Sequence, residues 1–230
     1  MKIIDRETGK RLKELNKVDP VKANVSKELD GKEEDSPMDP PSSYDKKVDD
    51  VAVSHKLLKI LMDEHDEVTK IIDRLEKAIA QYKQNNYVLN DEVNSTFHDF
   101  FHFTDNKLLP HNRKEEKVLF PLLQKRLIEN KEHGVNNQDL TAIDIMEDDH
   151  IKFIQLTTLM FNLLGLAARL PDKQSAFFTY DTFYNISKEF IELLKLHIYR
   201  ENEILFPLAQ KYLTEDDLNS LLPQLENYHE

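Results

Sequence analysis

The chain has 230 residues, with 43 acidic against 31 basic side chains, a net charge of −12 and no cysteine. The missing cysteine excludes disulfides, thiolate metal sites, iron–sulfur ligation and cysteine nucleophiles, and an acidic balance without a basic patch argues against nucleic acid. Only four glycines, with 40% hydrophobic and 32% charged residues, point to long helices.

The opening MKIIDRETGK lacks the apolar stretch of a signal peptide. The longest uncharged run, 153–168, contains Gln155, Thr157, Thr158 and Asn162, and is too short and too polar for a membrane span. These features predict a soluble, cytoplasmic protein that engages neither membrane nor nucleic acid.

Residues 1–50 mix 11 basic with 13 acidic side chains, contain Pro20, Pro37, Pro40 and Pro41, and carry few large apolar groups. They read as a poorly ordered arm, with a short helix near Lys10–Lys17 and a stretch PMDPPSSY able to lie extended through Met38 and Tyr44. From residue 51 the pattern becomes helical. Four long helices are expected at 51–84, 91–130, 139–170 and 173–212, with a short fifth at 215–227. Short connections make neighbours antiparallel. The expected architecture is therefore all-α: an up-down-up-down four-helix bundle over 51–212, followed by a short C-terminal helix within 213–230.

The apolar seams advance in steps of three and four, which keeps one face of each helix toward its partners. The first helix shows Leu58, Leu61, His65, Val68 and Ile72; the second Phe101, Thr104, Leu108, His111, Glu115 and Val118. The third shows Met146, His150, Phe153 and Thr157; the fourth Phe190, Leu194, His197, Glu201 and Ile204. Histidine and glutamate thus stand inside apolar stripes.

The chain also repeats itself. HNRKEEKVLFP begins at His111 and HIYRENEILFP at His197, 86 residues apart. His65 and His150 keep nearly the same step, 85 residues. Each half therefore carries one lone His and one H-x-x-x-E followed by Leu-Phe-Pro. A single histidine on an apolar face is more often a hydrogen-bonded core residue than a metal ligand. Two glutamates converging with four histidines are different, because an unpaired buried carboxylate costs several kcal/mol, of order a desolvation penalty. No Lys or Arg occupies the seams at that level to neutralise them, whereas two divalent cations would. His65, His111, Glu115, His150, His197 and Glu201 are the candidate metal-site residues.

His55, His98, His102, His133 and His229 are expected at the surface. Asp63-Glu64 and Asp148-Asp149 precede the lone histidines and can accept from imidazole N–H groups, although acidic pairs also suit solvated faces. Pro121 and Pro207 are expected to kink their helices, and Pro110 to break or widen a turn beside His111.

In the order and spacing of these residues the sequence resembles the hemerythrin-like, HHE cation-binding family over about residues 51–212. The resemblance implies a four-helix bundle around two non-haem iron ions, bridged by Glu115 and Glu201, with two histidines completing each. Oxygen-carrying members have a fifth His four residues after the third helix's first, where this chain has Ile154. They also have an Asp five residues after the last helix's His, where it has Asn202. The pattern is closer to iron-centre repair proteins of nitrosative stress, which usually add an N-terminal cysteine-containing segment; this chain has no cysteine. The expected function is handling of nitric oxide, oxygen or labile iron in a stress response. An enzyme reducing nitric oxide or peroxide, and a helical interaction protein with structural metals, are the alternatives. Nitrogen and oxygen donors also accept Mn or Zn.

Overall fold

The computed structural model describes residues 51–134 and 140–228, so the expectations for residues 1–50 and for His229 fall outside the described residues. The first helix, α1 (Lys56–Gln84), starts five residues later than expected. The side chain of Gln210 accepts from the backbone N–H groups of Ser54 and His55, each at 3.0 Å, and holds the preceding strand of chain extended. His55 then caps α1, its Nδ1 accepting from the Leu57 N–H at 3.1 Å. A tight turn with positive φ at Asn86 and Tyr87 ends the helix.

The second helical path starts at α2 (Asp91–Phe103), capped by Asn90, whose side chain accepts from the Val93 N–H at 2.8 Å. It continues through a π turn (Thr104–Leu108), α3 (Leu109–Lys114), a second π turn (Glu115–Leu119) and α4 (Phe120–Glu129). A capping box, Thr141 with Asp144, opens α5 (Ala142–Ala167). That helix stops short of the expected 170 because Pro171 disfavours helical backbone at the residue before it. Asp172 caps α6 (Lys173–Arg200), which runs through a π turn (Glu201–Leu205) into α7 (Phe206–Tyr212). A second capping box, Thr214 with Asp217, opens α8 (Glu215–Glu226).

Pro110 follows a widened turn, one of the two outcomes expected of it, and Pro121 and Pro207 follow widened turns as well. Pro110, Pro121 and Pro207 each follow a π turn by two residues. A proline lacks an N–H and its ring crowds the carbonyl four residues back. Widening the turn by one residue moves that carbonyl away, and the helix continues in register for packing.

Among the described residues, two apolar clusters form the core. One includes Leu58, Leu61, Val118, Leu123, Met146 and Ile204; the other includes Val68, Leu108, Phe153, Met160, Phe183 and Leu194. Each large side chain so buried contributes about 1.5–3 kcal/mol before entropy is counted. The path through the clusters gives the topology. The first helix runs from the first cluster to the second, and the next from Phe97 in the second to Leu123 in the first. The third returns from Ile143 to Met160, and the fourth from Phe183 to Leu208. The result is an all-α up-down-up-down bundle, with Leu218, Leu221 and Leu225 of α8 closing the first cluster.

Candidate metal centre

Every helical path changes cluster at a histidine. His65 stands between Leu61 and Val68, His150 between Met146 and Phe153, His111 and Glu115 between Leu108 and Val118, and His197 and Glu201 between Leu194 and Ile204. All six are buried, and both glutamates have no exposed surface. They form two groups of four, His65, His111, Glu115 and Glu201, and Glu115, His150, His197 and Glu201. Within each group one donor atom per residue lies within 4.8 Å of the others.

All four imidazoles turn Nε2 inward and Nδ1 outward. The two Nε2 atoms of His65 and His111 are 3.0 Å apart, and those of His150 and His197 3.2 Å. Glu201 Oε2 lies 3.1 Å from His65 Nε2 and 3.2 Å from His197 Nε2. Glu115 lies 3.5 Å from His111 Nε2 and 3.6 Å from His150 Nε2, one carboxylate oxygen to each side. Donor atoms about 2.1 Å from a shared cation, as His and carboxylate ligands are, stand roughly 3 Å from one another.

No oxygen of Glu115 or Glu201 has a partner with hydrogen-bond geometry. Leaving such a group buried and unpaired costs several kcal/mol, of order the penalty for an uncompensated buried charge. Electrostatics gives the same reading. Burial, then the neighbouring Glu201, push the Glu115 carboxyl well above the usual carboxylate range. Burial opposes charge on Glu201 too, but His197 and His65 hold it well below that range. Burial would lower His197, yet Glu201 and Asp149 outweigh it and raise the imidazole to about 9. Without a cation, burial thus opposes charge on Glu115, while the imidazoles favour it on Glu201. The residues fit two cations: four protein donors converge on each side, and both carboxylates face both sides.

The outward Nδ1 atoms explain the acidic neighbours. Glu64 accepts from His111 Nδ1 at 2.6 Å and from Lys114 Nζ at 2.6 Å. Burial alone would raise its carboxyl, but those two partners bring it down to about 2. Asp149 lies 3.5 Å from His197 Nδ1. Asp63 and Asp148 are exposed. Two further partners escaped the sequence reading: Asn202 Oδ1 at 2.8 Å from His65 Nδ1, and Glu116 Oε1 at 2.9 Å from His150 Nδ1. Their signal was the repeat itself, since each directly follows the glutamate of its motif.

Leu-Phe-Pro also acquires a role. Phe206 stacks on His65 with planes 10° apart, and Phe120 on His150 with planes 15° apart. Each phenylalanine fixes an imidazole on another helix, and the proline after it accompanies the π turn that starts at the carboxylate ligand candidate. Phe153 meets His197 edge-on at 5.0 Å. A cavity of about 210 Å³ reaches His111 from outside, between Glu64, Glu67, Phe103, Pro110 and Lys114.

Among the other histidines, His98 and His102 are exposed and His133 is half-buried. His55 is a correction: it is buried, because its ring caps α1 and its Nε2 bonds Asn219 at 3.2 Å.

Residues 56–209 match the Hemerythrin HHE cation binding domain. This chain belongs to that family. The iron-sulfur cluster repair proteins YtfE of Escherichia coli O81 (strain ED1a) and of Escherichia fergusonii are 31% and 30% identical to it over 103 residues. That stretch is 45% of this chain and 42% of each relative, so the match spans less than half the length of these curated relatives. No solved structure matches the chain at a significant level. No described helix is long and apolar enough to cross a membrane.

Two positions that separate this hemerythrin-family chain from the oxygen carriers are now placed. Ile154 is half-exposed and turned from the centre. Asn202 bonds the back of an imidazole, while Glu201, one residue earlier, supplies the inward carboxylate.

Proposed function

We propose that residues 51–212 form a non-haem di-iron unit that handles a diatomic molecule, nitric oxide or oxygen, or labile iron, under stress. His65 and His111 would hold one iron, His150 and His197 the other, and Glu115 and Glu201 would bridge them. The observation that carries this reading is the pair of fully buried carboxylates, neither with a partner in hydrogen-bond geometry and each within 4.8 Å of a donor atom of all four histidines. Membership in a cation-binding family supports it, and the repair-protein name of the relatives supports the stress setting. Iron held there would supply redox chemistry and open coordination positions for a small ligand.

The chain's own residues prepare such a site. Asn202, Glu64 and Glu116 bond His65, His111 and His150 from behind and turn their Nε2 atoms inward, and Asp149 stands 3.5 Å behind His197. The two apolar clusters exclude water above and below. With iron bound, the four protein donors on each side would leave coordination positions open to a small ligand. The cavity of about 210 Å³ lies on the outer side of His111, between Glu64 and Lys114.

Elemental analysis after expression with iron tests the reading first, and two irons per chain are expected. Optical and paramagnetic resonance spectra of the reduced protein with nitric oxide or oxygen then test small-molecule binding. Less than one metal ion per chain, or spectra unmoved by either gas, would reject it.

A further inference from the structure

The outer partners differ between the two sides of the centre. Behind His65 and His111 stand Asn202, a neutral amide, and Glu64, whose charge is matched by Lys114 at 2.6 Å. Behind His150 stands Glu116, bonded to it at 2.9 Å, and behind His197 stands Asp149, a carboxylate 3.5 Å away without hydrogen-bond geometry. Asp149 pairs with Lys152 at 3.8 Å and Arg200 at 3.9 Å, longer than the 2.6 Å between Glu64 and Lys114. Arg113 and Lys117 act on Glu116 more weakly than its bond to His150 does. The main difference falls at one repeat position, which is Glu116 in the first half and Asn202 in the second.

We propose that the two cation positions are inequivalent, and that the Glu116/Asn202 difference makes the His150–His197 position the tighter one. The inference rests on the di-iron reading. An imidazole that donates Nδ1–H to a carboxylate becomes a stronger donor at Nε2, and the carboxylate adds negative potential at the cation. An amide polarises the ring less and adds no charge. Glu64 supplies that help to His111, but Lys114 offsets its charge. Glu64 and Glu116 are equally exposed, so solvent screens both alike. Glu115 and Glu201 belong to both positions and cancel in the comparison. Loss of an outer partner typically changes metal affinity about 10–100-fold, enough to separate two loading steps.

The test is an anaerobic titration of the full chain with ferrous iron against a chromophoric chelator, for wild type, Asn202→Asp and Glu116→Gln. Both substitutions preserve shape, and circular dichroism checks their folding. The wild type should load in two steps. Asn202→Asp should tighten the weaker step about 10–100-fold and leave the tighter one unchanged, whereas Glu116→Gln should weaken the tighter step. Mössbauer spectra with isotopically labelled iron added either first or second should give different doublets in the wild type, and these should converge in Asn202→Asp. Tightening of the first step by Asn202→Asp, or an unchanged first step in Glu116→Gln, would overturn the inequivalence while leaving two irons bound. Fewer than two irons at saturation in the wild type would instead overturn the di-iron reading, and this inference with it.

Discussion

Glu64 sits beside His65 in the chain but bonds His111 on the neighbouring helix, with 2.6 Å between Oε2 and Nδ1. Asp149, beside His150 in the chain, likewise faces His197 on the neighbouring helix, but at 3.5 Å and without hydrogen-bond geometry. The residue before each lone histidine thus faces the histidine of the next motif, and only the first of the two pairs is bonded.

Glu64→Gln should keep the fold, because the side chain is partly exposed, but leave His111 without its charged partner. Iron affinity is expected to fall about 10–100-fold, as for other outer partners. Chelator competition measures it. Unchanged affinity would show that Glu64 only closes the surface over the centre.

Glu115→Gln should separate metal binding from stability. Burial and Glu201 favour the neutral form of Glu115 in the metal-free protein, so a neutral amide of the same shape should cost less than about 1.5 kcal/mol there. The iron-supplied variant should nevertheless lose most of its metal, because an amide is a poor bridging ligand. Melting curves with and without iron, beside metal analysis, make the comparison.

Metal uptake should release protons. Below about pH 9 the metal-free protein holds a proton on His197, and burial beside Glu201 favours the protonated form of Glu115. These protons must leave before the residues can bind cations. Affinity should therefore rise with pH through neutrality and fall in acid, which calorimetry in buffers of different ionisation enthalpy will measure. In the metal-free protein the raised His197 contributes stability that is full below its unfolded value near 6.5 and is lost as pH rises through about 9. Denaturant titrations across that window should show the decline.

His55→Ala should cost about 1 kcal/mol, the usual worth of an N-cap, because it removes the acceptor for the Leu57 N–H and the bond to Asn219. Iron content should not change, since the ring stands at the first turn of α1, ten residues before His65. His102→Ala should change neither quantity.

The sequence by itself determined where the helices run and which polar residues share their apolar stripes. Both follow from periodicity along one helix, which neighbours in the chain specify: His65 between Leu61 and Val68, Glu201 between Leu194 and Ile204. The repeat added that the two halves contribute alike. Contacts between helices were decided only by tertiary structure, because they depend on how each helix is rotated and which rotamer its side chains take. That is why Glu64 reaches His111 while Asp63 faces solvent, why Phe120 and Phe206 lie on imidazoles of other helices, and why Ile154 turns outward. It is also why Glu116 and Asn202, equivalent in the repeat, leave the two sides of one centre differently charged.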